Sequence, residues 1–172
     1  FPANGNYDIA TWRITSVSGL VSPAGGGALT SYDGDLTIDV PAGAFTTETL
    51  MTQQPATGEM PPADLREIGH TFEIRSEDAT TGETVQPALP CAISVNYTDA
   101  ALGPVDEDTL GMYYWDGSRW VLEPTSTLDA DSNEIRATPS HFSVWAVLGE
   151  TQSNYLPRMG TRQAQRTDRI DS

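Results

Sequence analysis

Two Asp-Gly dipeptides, Asp33-Gly34 and Asp116-Gly117, constrain this chain more than anything else in it. Each sits between short runs rich in β-branched and aromatic residues, with DLTIDV (35–40) after the first and MYYW (112–115) before the second. A tight turn between twisted antiparallel strands needs positive φ, which Asp-Gly adopts readily, so both stretches predict β-hairpins. In the first, Leu36, Ile38 and Val40 share one face, while Asp35, Thr37 and Asp39 face water.

The same reading extends along the chain. TWRITSV (11–17), TLMTQQP (49–55), HTFEIRSE (70–77) and CAISVNYT (91–98) read as strands. Phe72 and Ile74 point inward in the third, and Ile93, Val95 and Tyr97 in the fourth. MPPADLREIG (60–69) reads as a loop, TLDADSNEIRATP (127–139) as a turn and short strand, and HFSVWAVLG (141–149) as the last strand. Alternation there places Phe142, Val144, Ala146 and Leu148 on one face and His141, Ser143, Trp145 and Val147 on the other. Helical periodicity is almost absent. The expected class is all-β, an antiparallel β-sandwich with extended N- and C-terminal arms. Its 172 residues suit one domain with one core. The expected division is an arm and first strand (1–18), the sandwich (19–149) and a tail (150–172).

Charge separates the tail from the body. All nine basic residues are Arg, against 24 acids, for a net charge of −15. Residues 1–149 carry a net −16, whereas residues 150–172 carry Arg158, Arg162, Arg166 and Arg169 and a net +1. An acidic body repels nucleic acid and anionic membrane, so no nucleic-acid partner is expected. No apolar run approaches the roughly 20 residues that span a bilayer, so no membrane insertion is expected. Cys91 stands alone and reads as a buried hydrophobe. The opening FPANGNYD, without Met, reads as a mature end after signal-peptide removal, and the expected location is extracellular or cell-surface.

The stretch GGALTSYDGDLTIDVPAGAF (26–45) resembles the opening of ZU-five-like domains, where a hairpin leads into a strand ending in Pro-x-Gly-Ala; here those residues are Pro41, Ala42, Gly43 and Ala44. MYYWDGSRWVLEPTSTLDADSNEIRATPSHFSVWAVLG (112–149) is similar to the far end of such modules in bacterial cell-surface proteins, with a Trp-bearing hairpin and a final His-Phe-Ser strand. The resemblance covers about residues 19–149. It implies a β-sandwich, and one chemistry, because some members of the wider group cut themselves at His-Phe-Ser. Carried over, Ser143 is the nucleophile, His141 the base and Phe142 the acyl donor of an N-to-O acyl shift. The competing and preferred reading is a strand whose Phe142 fills the core.

DADSN (129–133) puts Asp129, Asp131 and Asn133 at the alternate spacing of a calcium loop. An EF-hand needs Gly and Glu where Glu134 and Ser140 stand, so this is not one. A polar turn is the preferred reading and a shallow calcium site the alternative; no other cofactor is expected. Trp12, Trp115, Trp120 and Trp145 read as core or interface residues, with a sugar platform as the alternative. No nucleophile elbow or phosphate-binding loop is present.

The expected function is therefore a non-catalytic extracellular structural module that self-assembles through its terminal arms, with itself or other cell-surface components as partner. Self-cleavage between Phe142 and Ser143, and calcium or carbohydrate binding, are the alternatives.

Overall fold

A computed structural model describes residues 16–56 and 60–151. Two antiparallel sheets pack face to face, confirming the all-β sandwich. One holds β1 (Val17–Val21), β4 (Thr49–Pro55), β5 (Leu65–Asp78), β11 (Val144–Glu150), β7 (Gly111–Trp115) and β8 (Trp120–Leu122), in that spatial order. The other runs β2 (Gly27–Thr30), β3 (Leu36–Val40), β6 (Ala92–Asn96), β10 (Glu134–Ala137) and β9 (Thr127–Asp129). A single turn of helix, α1 (Asp99–Leu102), and a 3-10 turn (Glu107–Thr109) are the helical pieces of the described residues.

Both Asp-Gly hairpins form. Gly34 and Gly117 have φ of 85° and 99°, the left-handed region the turns require. The Asp116 carboxylate accepts from the amides of Ser118 and Arg119, which closes the second turn. Alternation holds in the strands that follow: Leu36, Ile38 and Val40 are buried, as are Ile93 and Val95. Ile38, Met51, Ile93, Met112, Ile135, Trp145 and Val147 are fully enclosed between the sheets. Cys91 is enclosed with them, and burial pushes its thiol up to about 11.

Three boundaries differ from the sequence reading. The first described strand runs Val17–Val21, past the expected end at residue 17, and residues 11–15 of the expected strand lie outside the described residues. Residues 65–69, expected as loop, open β5, which runs 14 residues and pairs β4 on one side and β11 on the other. The last strand starts at Val144, not at His141. β10 belongs to one sheet and β11 to the other, so residues 138–143 must cross between layers before β11 begins. The crossing resets the alternation. Phe142 joins Trp145 and Val147 in the interlayer core, instead of sharing a face with Val144, Ala146 and Leu148. Those three face outward, where Ala146 and Leu148 are covered by Trp120, Trp115, Tyr113 and Leu65.

Candidate functional site

The crossing segment carries His141, Phe142 and Ser143, and each of its polar atoms has a traceable position. Phe142 is seated in the core, its ring centroid 6.4 Å from that of Phe45. The Gln86 side chain holds its backbone: Phe142 N–H donates to Gln86 Oε1 at 2.7 Å, and Gln86 Nε2 donates to the Phe142 carbonyl at 3.2 Å. The Ser143 hydroxyl donates to the carbonyl of Trp115 at 2.7 Å, and the Ser143 carbonyl accepts from Ile74 N–H at 3.0 Å. The His141 ring packs edge-on against Tyr114, centroids 4.5 Å apart, and against Trp145 at 5.3 Å. Its Nε2 is buried without a hydrogen-bond partner.

For an acyl shift, the Phe142 carbonyl oxygen would become the oxyanion, and Gln86 Nε2 is the donor already aimed at it. The nucleophile is placed differently. Its proton is engaged with Trp115, while His141 Nε2 is turned into the aromatic cluster. A cavity of about 300 Å³, lined in part by Glu73, Arg75, Thr84, Gln86 and Ser143, opens beside the junction.

The other expected sites come apart or fall elsewhere. Asp129 accepts from Ser132 N–H at 3.3 Å, and Asn133 sits at φ 52° with its side-chain amide donating to Asp99 at 2.7 Å. These are turn contacts, and Asn133 is drawn towards α1. Among the described residues no three His, Cys, Asp or Glu side chains are grouped to hold a metal ion. Trp145 is interior, and Trp115 and Trp120 meet at 64° on the outer face, not as a flat platform. Trp12, Arg158, Arg162, Arg166 and Arg169 lie outside the described residues.

One constellation had no sequence signal. The ladder between β11 and β5 slips between Ala146, which pairs with Thr71, and Leu148, which pairs with Glu67. β5 therefore bulges around Gly69, whose φ is 92°. Such a bulge re-aims neighbouring side chains. Here His70 comes to line a cavity of about 100 Å³ at one end of the sandwich, beneath the β2–β3 turn. Asp33 and Asp35 line it from the turn, and Gln53 lines it from β4. Gln53 is only 5% exposed, yet its Oε1 has no hydrogen-bond partner among the described residues. Ser31 Oγ donates to Asp33, which keeps that carboxyl below its usual range. Burial lowers the His70 pKa, partly offset by Asp35 and Asp33. Spacing could not reveal this group, because its members come from a turn, a strand and a bulge.

The sheet edges form a second candidate element. β8, β2 and β9 end their sheets with three, four and three residues. β1 is longer, has no charge and no Pro, and among the described residues pairs with β4 alone within its sheet. Leu20 on it stands opposite Leu50, and the two are 61% and 38% exposed. No family model and no curated protein matches this chain.

Proposed function

We propose that the chain is a non-catalytic extracellular structural module that assembles with copies of itself through its terminal arms. The observation that carries the reading is the β1 edge. Sheet edges are normally guarded by short length, charge, Pro or a bulge, because their free N–H and C=O groups recruit other strands. Among the described residues β1 has none of these guards, and it adds an apolar pair, Leu20 and Leu50, beside a ladder open on that side. An extended arm from a second copy, laid along this edge, gains main-chain hydrogen bonds and apolar contact together. Head-to-tail repetition of such a contact builds a filament when it does not close into a ring. The resemblance of residues 19–149 to ZU-five-like modules of bacterial cell surfaces supports the same reading.

Light scattering on the full chain over a range of concentrations tests it, alongside Leu20→Lys. Concentration-dependent growth in mass, reduced by Leu20→Lys, is expected. A chain that stays monomeric at every concentration would sink the reading.

A second reading, self-cleavage between Phe142 and Ser143, is favoured by one contact: the Gln86 donor on the Phe142 carbonyl. Intact mass under denaturing conditions separates it from the first. Two fragments that together equal the chain plus one water would establish cleavage, and a single unbroken mass would reject it.

A further inference from the structure

We infer that the cavity at the end of the sandwich, formed by Asp33, Asp35, Gln53 and His70, is a receptor for an arginine side chain presented by the C-terminal segment of a second copy of this chain. The inference rests on the assembly reading and gives it a second contact.

A buried acceptor without a partner costs roughly 1–3 kcal/mol, so such groups are seldom left in a core. Met or Leu would fill the position of Gln53 without that cost. An acceptor that is 5% exposed, unpartnered and set in the wall of a cavity is accounted for when a donor enters from outside.

The rest of the lining says which donor. Asp33 and Asp35 stand at the mouth, and neither forms an ion pair with any arginine of the described residues. The entering group is therefore cationic. His70 supplies a flat ring that a planar cation can lie against. A guanidinium fits all three demands at once: it has five N–H donors in a plane, it pairs with carboxylates in forked geometry, and it stacks on rings. At about 100 Å³ the cavity holds more than the one water that needs on the order of 10–15 Å³, and it suits a side-chain head better than a whole small molecule. A metal ion fits less well, since the His and Asp side chains here are not grouped closely enough to ligate one.

The chain itself carries the matching group. Its only cationic side chains are arginines, and four of the nine fall in residues 150–172, which carry a net +1. The body they would meet carries −16. Opposite charge brings the segment to the body, and the cavity selects a guanidinium from it.

The test uses the full-length chain with Arg158, Arg162, Arg166 and Arg169 all changed to Gln as receiver, and a synthetic peptide of residues 152–172 as probe. The chain has only two histidines, so their ring signals in NMR are easily assigned. The peptide is expected to shift the His70 signals saturably and leave those of His141 in place. A peptide with Gln at the four arginines should shift neither. Asp35→Asn and Gln53→Met in the receiver should each weaken binding by about tenfold or more, as expected for loss of a charge-assisted or buried hydrogen bond. Gln53→Met should at the same time unfold no more easily than its parent, which rules out simple loss of structure. An unmoved His70, an equal response to the arginine-free peptide, or unchanged affinity in both receiver variants would each overturn the inference. The two proposals separate cleanly: peptide binding by a chain that remains monomeric supports the cavity as an arginine receptor but defeats both assembly and a second copy as the donor. A chain that assembles equally well with Asp35→Asn and Gln53→Met defeats the cavity and leaves assembly standing.

Discussion

Gln86 grips the backbone of Phe142 at both polar atoms, accepting from its N–H at 2.7 Å and donating to its carbonyl at 3.2 Å across 56 positions of sequence. The contact replaces, for one residue, the ladder that the chain lacks while it crosses between sheets. Gln86→Leu leaves both backbone groups without their partner, and a stability loss of about 1–3 kcal/mol is expected in urea unfolding. Gln86→Glu keeps an acceptor but loses the donor, so it should fall between Leu and the parent. A Leu variant as stable as the parent would show that the clamp contributes nothing.

Gly26 and Gly34 make opposite demands on space. Both have positive φ, but a Cβ on Gly26 would lie 2.1 Å from the Val40 carbonyl oxygen, whereas one on Gly34 would meet nothing within 4 Å. Gly34→Ala should cost only the left-handed conformation, about 1–2 kcal/mol. Gly26→Ala adds a clash with backbone that cannot rotate away, and a loss on the order of 3 kcal/mol or more is expected. Thermal melts of the pair check this, and equal losses would refute it.

His70 gives the fold a pH dependence of definite sign. Burial lowers its folded pKa, while the unfolded imidazole titrates near about 6.5. Between those values the unfolded chain holds the extra proton, so its stability contribution is full above about pH 6.5 and is lost as pH falls through the folded pKa. The carboxyls of Asp33, Glu73, Asp78 and Asp116 are all lowered, so their contributions disappear at more acid pH. Urea unfolding from pH 8 to pH 5 should show a decline that His70→Gln flattens. Parallel profiles would contradict the assignment.

Cys91 should resist thiol reagents in the native state. It is fully buried, and its thiol is pushed up to about 11, so little thiolate exists at neutral pH and none is accessible. A maleimide mass-labelling time course is expected to show labelling only after denaturant is added. Rapid native labelling would mean that the strand start at residues 91–92 opens easily.

How much of this was visible in the sequence depends on the range of the interaction. The hairpins at Asp33-Gly34 and Asp116-Gly117 were legible because a turn and its flanking alternation are local. So were the inward Leu36, Ile38, Ile93 and Val95. The break before Val144 was not, because HFSVWAVLG alternates throughout and only the assignment of β10 and β11 to different sheets delays the start of the strand. The β5 bulge was hidden for a similar reason: it exists relative to β11, about 80 residues distant, and Gly69 alone does not announce it. Gln53 read as one polar residue in a strand, and nothing local marks it as buried. His141 and Ser143 were legible as a motif but not as a geometry, since Trp115 and Tyr114, which engage them, come from a strand some 28 positions away.

The placement of β11 also bears on how the protein is made. The last described strand lies in the middle of its sheet, between β5 and β7. During synthesis every earlier strand leaves the ribosome before its central neighbour exists, so β5 and β7 each wait with one side of their ladder bare. The larger sheet can close only once residue 150 has emerged, so it is completed by the last of its described strands to be made. A chain stalled a few residues short of that point would present two unpaired inner strands to its surroundings, a state that invites holding by chaperones.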